Sequence, residues 1–178
     1  MHPDEVQFSR DTRVVLIPDG VDLRIPAGAI GWVTQVLGGN ITVQLDSGRL
    51  VRVAAADADA IGRASDQPPP PVAAGPVNAE AVWDVLRTIY DPEIPHNVVD
   101  LGLVYELSLR EVEGGIAVDA VMTLTAPGCG MGPVLVRDVE DRVGALPGVH
   151  GVTVELVFDP PWSPDRMSEE IRTELGMW

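Results

Sequence analysis

The chain has 178 residues, 46% of them hydrophobic, which is enough apolar mass for one ordinary domain or two small ones and excludes global disorder. Its formal net charge is −15, with all 12 basic residues arginine against 27 acidic ones. That balance argues against nucleic-acid or anionic-membrane partners, which need clustered positive charge. The single cysteine excludes an intramolecular disulfide and any multi-thiolate zinc site built within one chain.

The opening Met1-His2-Pro3-Asp4-Glu5 is acidic and lacks the basic and apolar regions of a signal peptide. No apolar run approaches the roughly 20 residues of a bilayer helix, so a cytoplasmic location is expected. From Arg13 to Val53 the pattern is β. Arg13 to Ile17, Val21 to Ile25, Ile30 to Leu37, the alternating Ile41, Val43 and Leu45, and Leu50 to Val53 read as short strands. Pro18-Asp19-Gly20, Pro26-Ala27-Gly28, Gly38-Gly39-Asn40 and Asp46-Ser47-Gly48 supply the turns between them. About five such strands predict a small SH3-like β barrel over residues 1–66. Trp32 reads as core or rim packing in preference to a binding aromatic.

Residues 67–76 form a proline-rich linker, since consecutive prolines favour a stiff, extended spacer. A second domain, 77–178, follows. Asn78 is a candidate N-cap, and Val82, Val85, Leu86 and Ile89 have the spacing of an amphipathic helix that stops near Asp91-Pro92. Strands are expected at Leu103 to Leu109, Ile116 to Leu124 and Val152 to Phe158, with a hairpin turn at Glu113-Gly114-Gly115. A helix is expected from about Met131 to Val143, and a last one capped by Ser163 with Pro164 at its first position. The order α-β-β-α-β-α implies an α+β domain with a three-stranded mixed sheet.

Three clusters could carry chemistry. Cys129 lies in Thr125-Ala126-Pro127-Gly128-Cys129-Gly130-Met131-Gly132, between a strand end and a helix start. Bare amides at that helix terminus would stabilise a thiolate, the form that binds iron or attacks sulfur, and Thr125 could add a hydroxyl hydrogen bond. The alternative is a buried, inert cysteine. In Asp91-Pro92-Glu93-Ile94-Pro95-His96-Asn97-Val98-Val99-Asp100, two prolines shape a loop bearing three carboxylates and an imidazole. These carboxylates either bind metal or steady the cysteine loop, or they simply cap backbone donors. In Phe158-Asp159-Pro160-Pro161-Trp162-Ser163-Pro164-Asp165-Arg166-Met167, Trp162 shields the thiol loop, meets a partner or packs on the core.

The run Asp91 to Pro95, then Val99-Asp100-Leu101-Gly102-Leu103-Val104-Tyr105, then Thr123 to Gly132, resembles the PaaD-like iron–sulfur cluster assembly domain family. The C-terminal motif and the preceding β domain look most like its bacterial SufT-type branch. The resemblance implies an accessory factor, not an enzyme, that matures iron–sulfur client proteins as a thiol-based carrier or adaptor. By motif, Cys129 is the functional thiol and metal or cluster ligand, with Thr125, Gly128, Gly130, Asp91, Glu93 and Asp100 around it and Trp162 as a partner contact. Implied partners are the assembly machinery and apo client proteins. The cofactor would be a transient iron–sulfur cluster or none, and a homodimer is one way to share a cluster that wants about four ligands. His96 departs from the family pattern, which usually has an apolar residue there. Two readings from other classes stand beside this one. One is a cysteine-dependent hydrolase or transferase using a Cys129–His96 or Cys129–His150 dyad. The other is a client-binding module without metal that docks through the β domain.

Overall fold

A computed structural model describes residues 4–64, 76–91 and 93–177. The chain divides into two compact units, Met1–Pro68 and Pro69–Trp178. Most of the proline-rich stretch 67–76 lies outside the described residues.

The first unit is a six-stranded antiparallel sheet. Its strands are β1 (Glu5–Gln7), β2 (Thr12–Ile17), β3 (Asp22–Ile25), β4 (Ile30–Leu37), β5 (Asn40–Leu45) and β6 (Leu50–Val53), in the spatial order β1-β4-β5-β6-β2-β3. The alternation in β5 is realised: Ile41 and Val43 are buried while Thr42 and Gln44 are not. A core forms from Val6, Phe8, Val14, Ile25, Ile41, Val43, Val51 and Val53, joined by Ala58 and Ile61 of a 3₁₀ helix at Ala55–Ile61. The expected SH3-like barrel is not confirmed. β1 and β3 end the strand order, and no ladder between them closes the sheet among the described residues. Pro26, which follows β3, has no amide donor with which to extend that strand's ladder. Of the next two amides, Ala27 donates to Asp11 Oδ1 (3.0 Å) and Gly28 to the carbonyl of Phe8, the residue after β1 (2.7 Å). Trp32 stands outside this core and is 37% exposed.

The second unit is α+β. Helix α1 (Ala79–Leu86) starts at Asn78, whose side chain accepts from the Ala81 amide at 2.8 Å, and buries Val82, Val85 and Leu86. Strands β7 (Val104–Val112) and β8 (Gly115–Met122) form a hairpin. Helix α2 (Gly132–Gly144) then returns the chain to β9 (Val149–Leu156), which pairs in parallel with β8. The mixed sheet β7-β8-β9 is therefore formed as expected. Val118, Ala120 and Met122 of β8 lie in one core with Val82, Leu86, Leu135 and Val139 of the helices. No helix among the described residues is long and apolar enough to cross a membrane.

The last helix differs from expectation. Ser163-Pro164 opens only a 3₁₀ turn at Pro164–Arg166, while α3 is Glu169–Glu174 with Ser168 as its cap. Met167 between them has extended backbone (φ −65°, ψ 152°) and is buried in the core, so inserting its side chain interrupts the helical path.

Register decides where the functional loops lie. Met122, the last residue of β8, pairs with Val104, the first of β7, and with Leu156, the last of β9. The segments 93–103, 123–131 and 157–168 therefore gather at one end of the sheet. Gly102 fits there because its φ is +69° and an added Cβ would collide with the Arg166 carbonyl. Gly102→Ala is expected to cost at least about 2 kcal/mol, from left-handed strain plus the collision. Chemical denaturation of the full chain checks this, and a variant as stable as the parent would contradict the packing described.

Candidate functional site

The thiol is presented by a tight turn. After β8 the chain reaches Pro127-Gly128, where the Cys129 amide donates to the Ala126 carbonyl at 3.3 Å and Gly128 has φ +77°. Proline at the second position and a left-handed glycine at the third are the marks of a type II turn. Ala126, Pro127, Gly128 and Gly130 are exposed and Cys129 is half-buried. The turn ends at α2, where the Gly132 amide donates to the Cys129 carbonyl at 3.3 Å.

Glu93 meets this sulfur. The Cys129 thiol donates to Glu93 Oε1 at 3.5 Å, joining positions 36 residues apart. Asp91 builds the loop that makes this possible: it is buried, and its Oδ1 accepts from the amides of Glu93 and Ile94 at 2.8 Å each. Asp100 plays a capping part, accepting from Asn97 Nδ2 at 2.6 Å. Asn97, which sequence reasoning passed over, also accepts from the Val99 and Asp100 amides at 3.0 and 2.9 Å. An asparagine inside a turn-rich run is the available signal for such a role. Thr125 is half-buried, but the groups acting on the thiol are the Met131 amide, Glu93 and Asp91. Trp162 packs half-buried against the core, and its indole Nε1 donates to the Leu101 carbonyl at 2.8 Å.

The electrostatics reverse the expected activation. Burial pushes the Cys129 thiol above its ordinary value, and the Glu93 hydrogen bond and the Glu93 and Asp91 charges add to the shift. The Met131 amide at the start of α2 lowers it but does not prevail. The helix terminus acts in the anticipated direction, and burial, aided by the carboxylates, outweighs it. Burial likewise raises the Asp91 carboxyl, opposed by the Ile94 and Glu93 amides and aided by the Glu93 charge.

His96 and His150 both face other groups. His96 Nε2 faces Glu174 Oε1 of α3 at 4.0 Å. His150, the second residue of β9, lies beside Gly114 and Gly115 at the hairpin turn. Met122 lies seven residue steps along β8 from Gly115, about 23 Å at the usual rise, so His150 and the cysteine loop lie toward opposite ends of the sheet. Among the described residues no group of three or more His, Cys, Asp and Glu is placed to hold a metal ion.

An α+β domain thus presents one carboxylate-held thiol at the carboxyl end of a central strand. A profile of the family described as iron–sulfur cluster assembly protein matches residues 79–156. An Fe-S protein maturation auxiliary factor of Porphyromonas gingivalis is 46% identical over 97 residues, covering 54% of this chain and 90% of the relative. The auxiliary factor SufT of Staphylococcus aureus is 38% identical over 89 residues, covering 50% and 98% respectively. A solved conserved hypothetical protein of Thermotoga maritima is 39% identical with a TM-score of 0.50, over 57% of this chain and 96% of that one. The chain belongs to the iron–sulfur cluster assembly family, and the profile match falls entirely within the second unit.

Two predictions follow the geometry. Glu93→Gln removes the carboxylate that accepts from the thiol and repels its anion, so the thiol pKa falls and alkylation by iodoacetamide at neutral pH accelerates, about threefold or more. An unchanged rate would contradict the contact. For Asp91, the folded state binds the proton more tightly than the unfolded chain. Its contribution to stability is therefore fullest below the ordinary aspartate value and is lost as pH rises through the raised native one. Asp91→Asn keeps an acceptor for both amides, so denaturation at neutral pH should show equal or greater stability and a flatter acid dependence. Asp91→Ala orphans both amides and should cost about 2 kcal/mol.

Proposed function

We propose that this chain is an accessory factor in the maturation of iron–sulfur proteins, acting through Cys129 as a thiol-based carrier or adaptor. The observation that carries this reading is the 3.5 Å contact between the chain's single thiol and Glu93, formed where two motif loops meet. Membership of the family and the names of its maturation-factor relatives support the same role.

Ligand counting shapes the mechanism. An iron–sulfur cluster is cargo here, and it wants about four protein ligands. One chain offers one thiolate and one neighbouring carboxylate, half of such a set, so the remaining ligands come from a second copy, a small thiol, the assembly machinery or the apo client itself. A cargo so incompletely held is readily passed on. Cys129 waits as a neutral, hydrogen-bonded thiol, and an arriving metal displaces its proton, since the thiolate is the ligand form. Glu93, held in place by Asp91, sits beside the sulfur, while Pro127, Gly128 and Gly130 leave its approach open on the exposed turn. The work is that of a cytoplasmic protein-to-protein intermediary, not of an enzyme. The position of His150 toward the other end of the sheet disfavours a thiol hydrolase using that dyad.

The test pairs cells with purified protein. In cells lacking the native chain, Cys129→Ser is expected to leave client iron–sulfur enzyme activity at the level of the deletion, and surviving maturation would sink the thiol-based reading. Anaerobic reconstitution with iron and sulfide then separates carrier from adaptor. A carrier gives a cluster absorbance band and bound iron that Cys129→Ser loses. An adaptor takes up no iron in either form yet still needs the thiol in cells.

A further inference from the structure

The residues after β9 lie beyond the segment matched by the family profile, which ends at residue 156. They run as a strap along the segment that leads from the Glu93 loop into β7. Tyr105 Oη donates to the Pro160 carbonyl at 3.0 Å, Trp162 Nε1 to the Leu101 carbonyl at 2.8 Å, and the Ser168 amide to the Asp100 carbonyl at 2.7 Å. The Arg166 guanidinium lies 4.2 Å from the centre of the Tyr105 ring, and the Arg166 carbonyl fills the space at Gly102. These five contacts all fall on residues 100–105.

From those anchor points a run of hydrogen bonds leads back to the thiol. The Leu101 amide donates to the Asn97 carbonyl at 3.1 Å, and the Asn97 side chain takes the Val99 and Asp100 amides. The Asp91 amide donates to the His96 carbonyl at 3.0 Å, and the Asp91 carboxylate holds the Glu93 and Ile94 amides. Glu93 then meets Cys129. Of the three C-terminal donors and acceptors, only Trp162 uses a side-chain donor, which another aromatic residue can delete while leaving the backbone intact.

We propose that Trp162 is a positioning residue for the Cys129 site: its indole N–H, by holding the Leu101 carbonyl, fixes the loop that carries Glu93 and so sets how readily the thiol reacts. The proposal rests on the reading of Cys129 as the functional thiol and adds the element that controls it. Releasing the strap frees Glu93 from the sulfur, and the thiol becomes more reactive. A partner that binds the C-terminal segment would thereby unlock the cysteine. A double-mutant cycle measures this coupling directly.

The experiment measures the iodoacetamide alkylation rate of Cys129 at one neutral pH in the full chain, for the parent, Trp162→Phe, Glu93→Gln and the double variant. Trp162→Phe keeps an aromatic ring and removes the donor. Its expected effect is an acceleration of about three- to fivefold, the worth of one neutral hydrogen bond, with no further acceleration when Glu93→Gln is already present. Equal acceleration in both backgrounds would mean general loosening and overturn the proposal, as would an unchanged or slower rate. Tyr105→Phe, which removes the hydroxyl bonded to Pro160, repeats the cycle should Trp162→Phe fold poorly. The readout uses neither iron nor client. Failure here with maturation still lost in Cys129→Ser discards the strap alone, whereas maturation surviving Cys129→Ser discards the functional reading and leaves the coupling measurement intact.

Discussion

The parallel pairing of β8 with β9 is the constraint on which the second unit depends. Parallel strands cannot be joined by a tight turn, so the chain must leave β8 at one end, cross the sheet and re-enter β9 from the other. Helix α2 is that crossover, and its apolar face closes the core over Val118, Ala120 and Met122. The exit from β8 is consequently a loop that ends at a helix start, which is where Cys129 sits. The same register brings the approach to β7 and the departure from β9 to Met122. Three segments distant in sequence are thus brought to one rim by strand pairing, before any side-chain contact among them is considered.

What the rim does to the thiol is a contest between weak sources of opposite sign. The Met131 amide favours the anion, while burial and two carboxylates oppose it and prevail. A raised pKa is a poor property for a nucleophile and a sensible one for a carrier. The protonated sulfur resists adventitious oxidation, which follows thiolate character. The division of labour among the acidic residues follows from burial. Asp91 is enclosed and spends its oxygen on amides, whereas Glu93, on a longer side chain, reaches the sulfur.

Local patterning made much of the architecture legible. The alternation in β5 and β8, the cap at Asn78 and the order of elements after the linker all follow from period and turn chemistry. The departures have physical causes. β1 has three residues and pairs with β4 far along the chain, so it leaves no periodic trace. Whether β1 and β3 pair to close the strand order is a long-range choice that local patterning does not encode. Ser163-Pro164 has the local pattern of a helix start, but burial of Met167 demands extended backbone three residues later. At the site, the motifs pointed to Cys129 and Glu93, yet the thiol's electrostatics could not be read from the helix terminus alone. The opposing carboxylates arrive through the fold.

The turn that presents Cys129 has a stereochemical consequence. Gly128 has φ +77°, and a Cβ placed on it would meet nothing within 4 Å. The requirement for glycine there is one of handedness and not of room, because L side chains rarely adopt that backbone whereas their mirror images do so readily. Position 128 is in effect a D-residue slot. A semisynthetic chain with D-alanine at this position would keep the turn, shed the excess freedom that glycine gives the unfolded chain, and hold the sulfur on a stiffer hinge than the ribosome can build.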